Sequence, residues 1–301
     1  MKPPPFAYHH AGSVAEAVNL LGEVGPSGKV LAGGQSLLQQ MNLRLIRPAH
    51  LVDINGLSEL DYVRSDNGTL AIGACTRQST LERSAEAAAS APLLVTAVKH
   101  VAHPPIRHRG TVGGSLAHAD PAAELPAAAL AAHGELVVVG PEGRRTISVG
   151  DFFVGRNATA MADGELLAEV RVPVWPAGTG HAFVELARRY GGIPIVGVAA
   201  LVHLDGGRVR RAAVALCGVA QTPIRAREAE AALDGQEPTD QVIAEAAAAA
   251  SRGLDPPSDV HGSGQYRRKL SEVLVRRALK RACARPGPGD IFASQRGGTE
   301  R

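Results

Sequence analysis

The chain has 301 residues, room for about two domains. Its 45% hydrophobic and 20% charged residues belong to a globular protein and exclude a disordered, collagen-like or small disulfide-stapled chain. A net charge of +3 with 3% aromatics gives neither the basic stripe nor the stacking platforms of a nucleic-acid binder. The longest apolar run, Ile193 to Leu204, is shorter than the ~20 residues of a membrane span, so no span is expected. Met1 to Pro5 has no apolar segment of the kind a secretory signal needs. Cys75, Cys217 and Cys283 are odd in number, far apart and without a Cys-x-x-Cys pair. That argues against a zinc ribbon or an iron–sulfur cluster held by this chain alone and suits a reducing, cytoplasmic setting.

The first predicted helix opens at Ser13-Val14-Ala15-Glu16, read as a capping box, and continues through Val14, Ala17, Val18 and Leu21 at helical spacing. Gly22 and Gly25 offer left-handed stops. Lys29 to Ala32 reads as a strand, Gly33-Gly34-Gln35-Ser36 as a turn and Leu37 onward as a helix, with a second strand at Leu51 to Ile54. Further on, Leu70 to Ala74 predicts a strand and Pro92 to Val101 a helix opened by proline. A glycine-rich run, Arg109 to Leu116, and an alanine-rich helix, Pro126 to His133, come next. Leu136 to Val139 and Arg145 to Val149 pair as a hairpin, and Leu166 to Val174 is a strand that enters a linker at Trp175 to Gly178. The texture then changes to three strands, His181 to Arg188, Ile193 to Leu204 and Val209 to Ala220. Helices at Arg225 to Leu233, Thr239 to Ser251 and Gln265 to Ala282 complete a separate α+β unit. In the last helix Leu270, Val273, Leu274 and Ala278 form one apolar stripe, with Arg267, Arg268, Arg276, Arg277 and Lys280 largely off it. The tail from Arg285 is rich in Pro and Gly and is expected to be disordered.

Two segments carry the chemistry. Ala32 to Leu37 and Thr111 to Ser115 each place small residues between an extended run and a helix, where backbone N–H groups can approach an anion. Ser36, Thr111 and Ser115 add hydroxyls, and the pair suits a diphosphate as well as it suits two plain turns. Gly114 is expected at φ > 0. There is no Gly-x-Gly-x-x-Gly, P-loop or Gly-x-Ser-x-Gly, which speaks against a Rossmann fold, an ATPase and an α/β-hydrolase. His100, His103, His108 and His118 lack ligand spacing and are read as surface or ligand-edge groups, not as a metal site. Asp120 reads as an N-cap with Pro121 as the first helical residue, and Glu124 as an acid able to hydrogen-bond ribose hydroxyls.

At these residues a resemblance becomes specific. Ala32-Gly33-Gly34-Gln35-Ser36-Leu37, Arg109 to Leu116 and Ala119-Asp120-Pro121-Ala122-Ala123-Glu124-Leu125-Pro126 resemble the FAD-binding medium subunit of the molybdenum hydroxylases, the xanthine dehydrogenase and aerobic carbon monoxide dehydrogenase family. The likeness extends from Phe6-Ala7-Tyr8-His9 through Ala187-Arg188-Arg189 to Gln265-Tyr266-Arg267-Arg268-Lys269-Leu270 and Arg276-Arg277-Ala278-Leu279. It implies an α+β protein with a two-subdomain FAD-binding fold of vanillyl-alcohol oxidase type at 1–176, divided near 55, and a C-terminal domain of a three-stranded antiparallel sheet and helices at 177–285. Residues 286–301 would be tail. The resemblance implies that Ala32 to Leu37 and Thr111, Val112, Gly113, Gly114 and Ser115 hold the FAD diphosphate non-covalently. Glu124, with Asp120 beside it, would lie on the adenosine side, Leu167 at a backbone contact to the flavin and Ile193 beside the isoalloxazine ring. Gln35 replaces a frequent His, Ser115 a frequent Asn and Gly192 a frequent Asp, and Val184 stands where some relatives have Lys, which leaves the electron acceptor open. No side chain need act as an acid or base. The molybdenum cofactor and [2Fe–2S] clusters would belong to large and small partner subunits, arranged as a dimer of heterotrimers. A stand-alone FAD-dependent monooxygenase or cyclase is the alternative.

Overall fold

The computed structural model describes residues 2–284, and the expected tail lies outside them. The first unit is a parallel sheet of β1 (Ala7–His10), β2 (Gly28–Leu31) and β3 (His50–Asp53) in the order β1-β3-β2, crossed by α1 (Val14–Val24) and α2 (Leu37–Asn42). Ser13 caps α1 by accepting from Glu16 N at 3.1 Å, and α1 ends on Gly25 at φ +55°. The capping box is displaced by one residue, because the Glu16 carboxylate reaches Gly12 N at 2.8 Å. Ala17, Val18 and Leu21 bury their stripe against Val52 and Ile54, as the spacing predicts.

The second unit begins with β4 (Val63–Asp66) and β5 (Thr69–Gly73) and then runs through α3 (Gln78–Arg83), α4 (Ala85–Ser90), α5 (Pro92–Val98), α6 (Pro104–Arg107), α7 (Val112–His118) and α8 (Glu124–Ala131). A hairpin of β6 (Glu135–Gly140) and β7 (Gly143–Ser148), the single turn α9 (Val149–Phe152), a small ladder of β8 (Phe153–Gly155) and β9 (Ala158–Thr159), and β10 (Leu166–Pro173) follow. Its sheet is antiparallel in the order β4-β5-β10-β6-β7. Asp120 does not cap α8. Its carboxylate accepts from Ala122 N at 2.9 Å and its carbonyl from Ala123 N at 3.0 Å, so a separate turn holds Pro121 and the helix starts at Glu124.

The third unit holds β11 (Gly180–Ala187), β12 (Pro194–Asp205), β13 (Arg208–Cys217) and β14 (Ile224–Arg225), followed by α10 (Arg227–Leu233), α11 (Asp240–Arg252) and α12 (Gly264–Cys283). Its sheet has four strands where three are predicted, because Ile224–Arg225 returns to pair with Ala215 and Leu216. One face packs on α12 and its neighbours through Val198, Val214, Leu274 and Ala278. The other face, with Phe183, Ala199, Leu201, Ala213 and Ala215, packs on α5 and α8. This two-sided burial explains the unbroken apolar run in β12, since neither side of that strand meets water. It also leaves α8 without a polar face, every one of its residues being buried. The expected linker is anchored: Trp175 is buried, and the Arg211 guanidinium lies 3.8 Å from its ring centroid.

Two expectations for α12 fail. Val273 is 45% exposed, and the buried stripe runs instead through Leu270, Leu274, Val275, Ala278, Leu279 and Ala282. Arg267 is buried, not off the stripe. It pairs with both Asp259 oxygens at 2.7 and 2.8 Å and donates to the carbonyls of Ile195 and Gly218.

Candidate functional site

The first glycine loop leaves β2 and turns into α2, with Gly34 at φ +71°. The backbone N–H groups of Gly33, Gly34, Gln35 and Ser36 make no hydrogen bond among the described residues. Gln35 folds its amide back onto Gly33 O at 3.0 Å, which stiffens the loop without using those donors. The result is a run of free N–H groups of the type that receives an anion.

The second loop behaves differently. Val112 N donates to Thr76 O and Gly113 N to Ala74 O, both at 2.9 Å, and Gly114 N donates to Thr111 Oγ1 at 3.0 Å as the cap of α7. Its donors turn inward and Gly110 and Gly113 are buried, so this loop offers the partly exposed Gly114 and Ser115. Gly114 has helical backbone, not φ > 0. A Cβ there would stand 2.6 Å from the capping hydroxyl, so the Thr111 side chain would have to shift to admit it.

The fold brings the two loops together. Gly33 packs backbone to backbone on Arg109 and Gly110, where an added Cβ would sit 2.8 Å from Gly110 Cα and closer still to the Arg109 carbonyl oxygen. Leu167 is tied to the same place. Neighbouring Ala168, at a bulge in β10, accepts from Ala74 N at 2.9 Å, and Ala74 in turn accepts from Gly113. Asp120 and Glu124 follow α7 on the way into α8. Ile193 stands on the turn between β11 and β12 and is 58% exposed. The next residues back, Gly192 and Gly191, bring that turn against the second unit, with Gly191 at φ +66° packed against His103 and Ala102.

Glu124 is the unusual titrating group. Burial, helped by the Glu185 and Asp120 charges, pushes its carboxyl up to about 8. A neutral carboxyl both donates and accepts and does not repel a nearby anion. Val184 points into the core shared with α12, so it does not face the glycine loops. Its neighbour Glu185 turns the other way, toward His100 at 3.5 Å. The histidines form no metal cluster among the described residues, and all three cysteines are free.

Sequence reasoning missed Asn55 and Arg77, which bridge the necks of the two loops. Asn55 Nδ2 donates to Ala32 O at 2.6 Å, while Arg77 donates to Asn55 Oδ1 at 2.9 Å and to Arg109 O at 2.5 Å. The one local signal is the Asn-Gly pair directly after a strand, which reads as an ordinary turn.

A run of free N–H groups packed against the second loop, with Ser36 on one side and Ser115 on the other, fits the diphosphate of FAD. Comparison with known proteins agrees. Residues 4–175 match the FAD binding domain in molybdopterin dehydrogenase, and residues 181–282 match the CO dehydrogenase flavoprotein C-terminal domain. The chain is 44% identical to the 6-hydroxypseudooxynicotine dehydrogenase complex subunit alpha of Paenarthrobacter nicotinovorans, over 96% of this chain and 98% of that one. It is 40% identical to the carbon monoxide dehydrogenase medium chain of Hydrogenophaga pseudoflava, over 95% and 99%. The solved carbon monoxide dehydrogenase from that organism, in the form lacking the Mo-pyranopterin moiety, superposes with a TM-score of 0.93 at 42% identity over 95% of this chain and 99% of that one.

Proposed function

Because the chain belongs to the FAD-binding medium subunits of the molybdenum hydroxylases, we propose that it works as the electron-transfer relay of such a complex. Ala32 to Leu37 and Thr111 to Ser115 hold the FAD diphosphate, with Asp120 and Glu124 on the adenosine side, Leu167 at a backbone contact and Ile193 beside the ring. The observation that carries this reading is the run of unengaged N–H groups at Gly33 to Ser36 against the backbone of Arg109 and Gly110. Bound FAD supplies the redox chemistry, taking electrons from [2Fe–2S] clusters and passing them to NAD, a quinone, oxygen or another acceptor. The protein residues bind and orient it, and none acts as an acid or base.

Attachment is non-covalent. Burial pushes Cys75 up to about 12 and Cys283 to about 11 and raises Cys217 as well, so none supplies a thiolate for a flavin bond. The partners are a large molybdenum-cofactor subunit and a small [2Fe–2S] subunit, in a dimer of heterotrimers. Three free cysteines suit the reducing cytoplasm. No helix among the described residues is long and apolar enough to cross a membrane.

The test is the native mass of the purified complex with its flavin, iron and molybdenum content, followed by acid precipitation. FAD in the supernatant together with iron and molybdenum in the intact particle supports the relay. A lone yellow chain that turns over a small substrate without partners supports the stand-alone flavoprotein instead.

A further inference from the structure

Ala32 and Arg109 are the last residues before the glycines at which the two loops meet, and a single hydrogen-bonded path joins their carbonyls. Asn55 Nδ2 donates to Ala32 O at 2.6 Å, to Asp53 Oδ1 at 2.7 Å and, more weakly, to Leu31 O at 3.3 Å. Asn55 Oδ1 accepts from Arg77 Nη2 at 2.9 Å, and Arg77 Nη1 donates to Arg109 O at 2.5 Å. Chemistry fixes the amide's orientation, because its nitrogen faces only acceptors and its oxygen faces a group that can only donate. Asp53 braces the asparagine by accepting from Asn55 N at 2.8 Å and from the Tyr8 hydroxyl at 2.6 Å. On the other side, Arg77 forms a backbone bridge to Thr111, and Gln78 N donates to Gly110 O at 2.9 Å. A guanidinium is a rigid fork, so Arg77 can commit one nitrogen to Asn55 and another to the Arg109 carbonyl at once.

We propose that Asn55 and Arg77 are positioning residues that set the gap between the two glycine loops and so tune the fit of the FAD diphosphate. This rests on the reading that FAD lies between those loops. Both residues are only partly buried, so their bonds compete with water and their loss leaves the three cores intact. A lysine at position 77 keeps the charge but has a single nitrogen, which cannot hold both acceptors in a fixed fork.

The experiment titrates FAD and FMN into the full chain stripped of flavin, following flavin fluorescence and visible circular dichroism, alongside the melting temperature of the flavin-free chain. Arg77→Ala and Asn55→Ala are expected to weaken FAD about tenfold, the worth of one or two hydrogen bonds. FMN, which lacks the diphosphate, moves less, and the melting temperature stays within a degree or two. Arg77→Lys is expected not to restore FAD affinity, and added guanidinium ion is expected to restore part of it to Arg77→Ala. Unchanged FAD affinity, an equal loss for FMN, or full recovery with Arg77→Lys overturns the proposal. Should Arg77→Ala misfold, Arg77→Lys and Asn55→Ser carry the same test. Gly33→Ala run in parallel separates the two levels. If it abolishes FAD binding while the Arg77 and Asn55 variants do nothing, their positioning role fails and the FAD site stands, and if it too leaves FAD bound, the site itself is wrong.

Discussion

Gly33 stands where the backbone of one loop touches the backbone of another, and backbone cannot rotate out of the way as a side chain can. Gly33→Ala is therefore expected to spread the loops and leave a colourless chain with near-wild-type far-ultraviolet circular dichroism, read as flavin per protein after purification. Glu124 makes a second prediction. A carboxyl raised from 4.5 to about 8 keeps a proton in the folded chain that the unfolded chain has released. Its contribution therefore makes stability fall as pH rises from about 4.5 to about 8. Glu124→Gln removes that slope. The difference between variant and wild-type melting temperatures is expected to grow across this window in favour of the variant, and a flat difference would contradict the buried neutral acid. His133 runs the opposite way, because burial and the nearby Arg225 and Arg211 charges push it down to about 4. It lowers stability on the acid side in both proteins and cancels from the difference.

At the scale of elements, the sequence is most readable where one face alone is buried. The α1 stripe follows its period because the helix has a wet side, whereas the β6–β7 hairpin is marked by its Pro141-Glu142-Gly143 turn, since Leu136, Val137 and Val138 are buried in a row. In α12 the period misleads, since the helix touches β11, β12 and α11 and its buried arc is wide enough to take in Val275, Leu279 and Ala282 while passing by Val273. Arg267 was invisible as a core residue because arginine is seldom buried, and its partners Asp259, Ile195 and Gly218 lie in three other segments. Arg267→Leu is expected to cost about 2–4 kcal/mol in urea unfolding, by leaving two carbonyls and one carboxylate without their donor. The glycine loops were legible for a related reason. Small residues in a row form a local signature, whereas the Asn55–Arg77 bridge depends on partners 22 and 32 residues apart and has none.

For the whole molecule, the exposed side of α12 carries Arg276, Arg277 and Lys280, with Lys280 held by Asp240 at 2.6 Å. If this face meets a partner subunit, Arg276→Glu with Arg277→Glu is expected to weaken the complex on size exclusion, more at low salt than at high, with FAD retained. An undiminished complex at both salts would return the face to solvent. The three units themselves are less separable than their order in the chain suggests. Helix α8 belongs to the second unit by sequence but packs on β12 and β13 of the third, and its Ala127, Ala128 and Ala131 share one core with Ala199, Ala213 and Ala215. Such a contact tolerates almost no extra volume on either side. Recombination at the junction near Trp175 would therefore succeed only when the incoming C-terminal half brings a sheet face of equally small residues. Front halves produced alone would carry a bare apolar helix into solution and precipitate. The junction looks like a natural place to exchange modules between relatives, but the alanine seam makes the two halves co-inherited parts.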